Sequence, residues 1–150
     1  MKLATALNER SDLQTRLSQL KTRLNNNAKV QEGDTPAEQP EALLKELDSV
    51  IERLEALIAA INRTNAMTVR DGRTITDLLA HRDCLASKVK VMRDFLNAAS
   101  DKVDRYSRTE IKIVSTVSVK ELQAEVDRLS AELRQTDETI QELNWTTELL

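Results

Sequence analysis

Apolar side chains recur at alternating steps of three and four residues in four separate segments of the chain. The first of these rows consists of Leu3, Ala6, Leu13, Leu17, Leu20 and Leu24. This spacing places successive side chains on one side of an α-helix, as in a coiled coil. Four such rows can be buried only if long helices pack against each other, so the pattern predicts a helical protein.

We predict a mainly α fold: four long helices in antiparallel coiled-coil-like hairpins or a bundle, forming a single domain over residues 1–150. The predicted helices cover 2–24, 41–64, 76–105 and 119–145, and a polar loop covers 25–40. The chain contains two Gly and two Pro, which fits long uninterrupted helices. Ser118 and Glu121 form a capping-box pattern at the start of the fourth helix.

Two helices carry a second apolar row beside the first. In the second helix it consists of Leu44, Ile51 and Ile58, and in the third of Cys84, Val91, Phe95 and Ala98. One antiparallel bundle uses one row per helix, so the second rows predict contact with another subunit.

Two segments break the helical period. Asp71-Gly72 is a favoured central pair for a two-residue hairpin turn, and it predicts a small β-hairpin at 67–75; a polar loop is the alternative. The β-branched stretch 111–117 predicts one short extra strand. Its partner would be the piece 29–31 or a strand of another subunit.

Charge and cysteine content narrow the functional classes. The net charge is -3, and the first and third helical segments are basic while the second and fourth are acidic, which favours antiparallel packing of sequence neighbours. The single cysteine excludes an internal disulfide, and the first residues show no signal-peptide core, so we expect a cytoplasmic protein. No apolar run has the roughly 18 to 20 residues that span a bilayer.

Candidate chemical residues are few. His81 is the one histidine, which argues against a di-metal carboxylate site. Cys84 lies one turn later and could act as a nucleophile beside it, but its place in an apolar row favours a packing role. Arg10 and Arg82 interrupt apolar rows, either because they reach solvent or because they pair with carboxylates. We therefore expect that the protein is not an enzyme and that it has no cofactor and no small-molecule substrate.

Polar and β-branched residues between the helices are the candidate interaction or assembly sites. If the fourth helix returns along the third, Trp145 would cover the hairpin tip. The arginines there also suggest anion or nucleic-acid binding, although arginines at helix ends commonly cap carbonyls. The candidates are Arg63, Asn65, Arg70, Asp71, Arg73, Tyr106, Arg108, Ile111, Ile113, Asn144 and Trp145.

Several polar segments resemble the septicolysin-like family of small bacterial proteins. They are NAKVQEGD, INRTN, DGRT, DRYSR followed by EIK, and the closing NWTTELL, and the likeness covers essentially the whole chain. The resemblance implies a helical fold, assembly into homo-oligomers and, from the family name, a pore-forming cytolysin.

From these observations we predict a non-enzymatic, homo-oligomeric helical scaffold or interaction protein. The alternative is a membrane-active, pore-forming cytolysin, and the second alternative is a nucleic-acid-binding helical protein. A homo-oligomer is the expected partner; nucleic acid is not expected, and membrane binding stays open.

Overall fold

The computed structural model describes residues 1–101 and 111–150. Its helices are α1 (Leu3–Asn26), α2 (Pro40–Met67), α3 (Ile75–Ser100) and α4 (Val119–Thr146), and its strands are β1 (Val69–Arg70) and β2 (Arg73–Thr74). The predicted mainly α fold with four helices and a small β-hairpin is confirmed. The predicted third helix continues to 105; in the structure Asp101 is not helical, and residues 102–105 lie outside the described residues.

Packing divides the chain into two compact units. Unit 1 comprises Met1–Ile75 and Glu142–Leu150, and unit 2 comprises Thr76–Gln141. The single domain expected from the sequence stays a prediction.

In unit 1, α1 and α2 pack antiparallel. Glu9 is paired with Arg53, and Arg16, seven residues later in α1, is paired with Glu46, seven residues earlier in α2. Between the helices lies a core cluster of Leu20, Leu43 and Val50. Nearer the chain termini, Leu3, Leu57, Ile61, Ile75 and Leu143 are almost fully buried.

Local chemistry sets where these helices begin and end. Pro40 occupies the first turn of α2, where its missing N–H costs no helical hydrogen bond. At the end of α1, the side-chain amide of Asn27 donates to the Arg23 carbonyl and its oxygen accepts the backbone N–H of Glu38. The buried Asn27 therefore fastens the 28–39 loop to α1.

In unit 2, α3 and α4 also run antiparallel, because Arg82 contacts Asp137 while Arg93 donates to Ser130. Their core cluster contains Leu85, Val89 and Leu129, with Met92 and Leu133 packed against it. At the start of α4, the Ser118 hydroxyl accepts the backbone N–H of Glu121, as the capping-box pattern predicted.

The predicted strand at 111–117 is wrong. Residues 111–118 form no strand or helix, and Ile111 and Ile113 are 78% and 64% exposed. β-branched residues favour extended backbone, but a strand needs a partner, and the piece 29–31 is likewise irregular.

Candidate functional site

The hairpin predicted from Asp71-Gly72 lies at the end of α2. Val69 pairs with Thr74 and Arg70 with Arg73, and φ is 52° at Asp71 and 77° at Gly72. Both central residues thus have the positive φ of a two-residue type I′ turn. Asp71 and Arg73 are exposed at its tip.

Arg70, in contrast, is engaged by the C-terminal part of unit 1. Its guanidinium donates to both carboxylate oxygens of Glu142, at 3.1 and 3.4 Å, and this hydrogen bonding lowers the pKa of Glu142. An arginine that is already paired has less capacity to bind phosphate. The pairing therefore weakens the case for an anion site at the hairpin.

The other predicted site residues belong to both units or lie outside the described residues. Arg63 is exposed and Asn65 half-buried on α2, whereas Ile111 and Ile113 belong to the irregular segment of unit 2. Tyr106 and Arg108 lie outside the described residues. Among the described residues of unit 1, the hairpin and the end of α2 lie beside the C-terminal segment.

The two chain termini are joined beside this hairpin, in an arrangement we call the terminal clasp (residues 1–3, Thr64 and residues 147–150). The Leu3 N–H donates to the Thr147 carbonyl at 2.9 Å, and the Leu149 N–H donates to the Met1 carbonyl at 2.8 Å. The Glu148 carboxylate pairs with the Lys2 ammonium at 2.7 Å, and hydrogen bonds from Lys2 and the N-terminal amine lower its pKa.

Thr64 connects α2 to the terminal clasp. Its side chain is fully buried; the hydroxyl donates to the Ala60 carbonyl at 2.8 Å and accepts the Leu150 N–H at 3.0 Å. Both hydrogen-bonding capacities of the buried hydroxyl are thereby used, so Thr64 holds the last residue of the chain against α2.

Trp145, which the sequence placed over the hairpin tip, has a mostly exposed side chain. Its side chain is 61% exposed, and the neighbouring Asn144 is half-buried. The C-terminal segment does reach this region, but through Glu142, Leu143 and the terminal backbone. Leu143 occupies the inward position of α4, and Trp145, two positions later, points to a different side of the helix, so the cover expected from Trp145 stays a prediction.

The α1–α2 pair has one side rich in ion pairs, which we call the ion-paired face. Arg53 donates to Glu9 at 2.6 Å, and Arg16 donates to Glu46 at 2.9 Å. Arg23 donates to Glu38 at 3.0 Å, and hydrogen bonds from the arginines lower the pKa of Glu9 and of Glu38. These three ion pairs lie on the same side of the α1–α2 pair.

The opposite side is apolar and open to solvent. This side contains two hollows. Leu17, Leu24 and Leu47 line one of them, and Ile51, Leu54 and Ile58 line the other. The predicted second row of α2 lies here, with Leu44, Ile51 and Ile58 at 50%, 42% and 37% exposure. We call this surface the open face; its residues are Leu17, Leu24, Leu44, Leu47, Ile51 and Ile58.

The second row of α3, in unit 2, is exposed as well. Val91 and Phe95 are 68% and 47% exposed, and Cys84 carries an exposed free thiol. The packing role expected for Cys84 is therefore not realised within the described chain. One turn earlier, His81 lies 3.1 Å from a Glu132 oxygen, and the two residues line a shallow hollow with Cys84.

Two further features of the described residues concern metal ions and membranes. Within 1–101 and 111–150, no three His, Cys, Asp or Glu side chains are grouped so that they could hold a metal ion. Over the same ranges, no helix has the combination of length and apolar character needed to cross a membrane.

Sequence reasoning missed the terminal clasp and the distribution of ion pairs between two faces. Thr64 continues the buried row of Leu57 and Ile61 in α2, and a threonine at such a position signals a buried hydroxyl that needs a partner. The clasp itself is formed largely by backbone groups, which leave no residue pattern.

Comparison with solved structures gives one close match in fold. The crystal structure of a functionally unknown conserved protein from Corynebacterium diphtheriae has a TM-score of 0.86 and 44% sequence identity, covering 100% of this chain and 99% of that chain. The comparison with curated proteins finds no match.

The family assignment corrects the resemblance stated from sequence motifs. Neither the matching family model nor the similar crystal structure points to the septicolysin-like family, so that prediction is wrong, and short polar motifs were insufficient to assign it. Residues 10–149 match the model of a family of unknown function, DUF6847, and the chain belongs to that family.

Proposed function

We propose that the protein is a non-enzymatic helical interaction module that assembles with copies of itself through the open face. The observation that carries the proposal is the exposed aliphatic row of α2. Leu44, Ile51 and Ile58 lie seven residues apart beside a row that is already buried against α1. A contiguous apolar surface of this kind typically marks an interaction site.

The proposed self-assembly is supported by the contrast between the two faces of the α1–α2 pair. On the ion-paired face, the charges are paired, because arginine–carboxylate contacts connect α1 to α2. The open face leaves large aliphatic groups in water, and burying an exposed Leu or Ile contributes about 1.5–3 kcal/mol when burial is complete. Assembly of helices in a coiled-coil-like manner would remove this surface from water.

We also propose that the protein works in the cytoplasm. Its cysteine, Cys84, is exposed as a free thiol, and such thiols persist in reducing compartments.

Light scattering coupled to size-exclusion chromatography, over a concentration series in the micromolar range, tests the assembly. We expect the wild-type protein to be larger than a monomer and Ile51→Asp to shift it toward the monomer, because a carboxylate would be buried in an apolar contact. Ala56→Asp is the matched control, since Ala56 is exposed on another side of α2. A monomeric wild-type protein throughout the series would overturn the proposal.

A further inference from the structure

The open face has charged borders of opposite sign. Arg10 and Lys21 lie on the α1 side of this face, whereas the outer edge of α2 carries four acidic residues and one basic residue, Lys45. Helical spacing places that acidic edge next to the exposed row of Leu44, Ile51 and Ile58. The acidic residues are Glu41, Asp48, Glu52 and Glu55.

None of these border charges forms an ion pair with another described residue. The set comprises Arg10, Lys21, Glu41, Lys45, Asp48, Glu52 and Glu55. On the ion-paired face, by comparison, Arg16, Arg23 and Arg53 all meet carboxylates. The charges that border the open face are therefore not used in ion pairs within the described chain, unlike those of the ion-paired face.

We infer that the open face pairs with the open face of a second copy so that α1 of each copy lies across α2 of the other. This inference rests on the proposed function and names the surface and orientation of the partner. A twofold axis parallel to the helices generates this arrangement, in which all neighbouring helices are antiparallel and basic α1 faces acidic α2. The result is a four-helix arrangement built from two hairpins.

The register follows from the contacts within one copy. Rotation about an axis parallel to the helices leaves each residue at its own height. Glu9 is level with Arg53, and Arg16 is level with Glu46. Continuing this register places Arg10 of one copy level with Glu52 of the other, and Lys21 level with Glu41.

Side-chain shape fits this pairing. The aliphatic stems of Lys21 and Arg10 would lie over the exposed row of α2, and their charged ends would reach the acidic edge beyond it. The alternative twofold axis, perpendicular to the helices, sets α2 on α2 and thereby brings acidic edges together, which is unfavourable. Charge complementarity thus selects between the two symmetric arrangements.

The area of the open face predicts a weak dimer. Leu44 to Ile58 extend for about 21 Å, and two helices side by side are roughly 20 Å wide, so the face offers roughly 400 Å². A standard interface buries about 800 Å² on each partner.

Charge reversal tests the orientation in sedimentation-equilibrium experiments. Glu41→Lys and Lys21→Glu, each alone, should raise the dimer Kd about tenfold, because each removes two symmetric attractions and introduces repulsion. The double variant Glu41→Lys/Lys21→Glu should restore the Kd to near the wild-type value. Glu138→Lys in unit 2 is the control for an unspecific effect of added positive charge.

Different outcomes separate this inference from the proposed function. If Ile51→Asp disrupts the wild-type dimer but Glu41→Lys strengthens it or leaves it unchanged, the proposal of self-assembly is retained. The inferred orientation is then overturned. A monomeric wild-type protein would overturn both.

Cysteine cross-linking gives an independent readout. In a Cys84→Ser background, the variant Lys21→Cys/Glu41→Cys should form a covalent dimer under mild oxidation, whereas Lys21→Cys alone should not. Efficient cross-linking of Lys21→Cys alone would indicate α1 on α1 and would contradict the inferred arrangement.

Discussion

Replacement of Thr64 by Val should loosen the terminal clasp at a cost that the structure allows us to estimate. Val keeps the shape of Thr but removes the acceptor for the Leu150 N–H and the donor to the Ala60 carbonyl. Leu150 is 56% exposed, so its freed N–H can turn to water and avoids the full penalty of a buried unsatisfied donor. We therefore expect a loss of about 1 kcal/mol, typical of one net hydrogen bond.

Thermal unfolding monitored by far-ultraviolet circular dichroism measures this loss. For a chain of this size, 1 kcal/mol corresponds to a decrease in Tm of roughly 2–4 °C. Thr139→Val is the matched control, because its hydroxyl makes the same type of bond to a carbonyl one turn earlier, that of Gln135 at 3.0 Å. Thr64→Ala should lose about 1 kcal/mol more, since it also removes a buried methyl group.

A double-mutant cycle tests whether Leu150 is the hydrogen-bond partner through which Thr64 stabilises the clasp. If the effect acts through Leu150, Thr64→Val should cost less in a variant that lacks Leu150. Equal costs with and without Leu150, or a Tm decrease no larger than that of Thr139→Val, would refute the assignment of Thr64 as the anchor of the clasp.

Two further predictions concern the hairpin and its ion pair. Gly72→Ala should destabilise unit 1 by about 1 kcal/mol, because φ is 77° there and a Cβ meets no atom within 4 Å, which leaves backbone strain as the cost; an unchanged urea midpoint would contradict this. The folded-state pKa of Glu142 is lowered by hydrogen bonding from Arg70, so its stabilisation is present above the unfolded-state pKa and lost as pH falls through the folded-state pKa. Arg70→Met should accordingly reduce stability at neutral pH more than at pH 3 in urea titrations, and an equal loss at both pH values would argue against the pair.

The sequence predicted those features that depend on neighbouring residues or on helical period. Asp71-Gly72 specifies its turn because both residues adopt positive φ readily, and Ser118 caps α4 through a bond to a residue three positions later. The rows containing Leu20 in α1 and Val50 in α2 are buried together, as their spacing indicated.

Features that depend on contacts between distant segments could not be predicted in this way. The β-branched stretch 111–117 has the composition of a strand, but strand formation also requires a partner with unpaired backbone groups. For Trp145, reasoning about helix length could not predict the exposure of the side chain, because two residues of displacement from the buried Leu143 rotate a side chain by more than half a turn.

The distribution of charge between the two faces explains why periodicity alone left the assembly question open. In the sequence, Arg16 and Lys21 both contribute to a basic α1, yet Arg16 meets Glu46 within the chain and Lys21 forms no ion pair with the described residues. Only the structure separates charges that are used in folding from charges that are not. Several of the latter, among them Lys21 and Glu52, border the exposed row containing Ile51. Unburied aliphatic groups next to unpaired charges of opposite sign are the features that support the proposed pairing with a second copy.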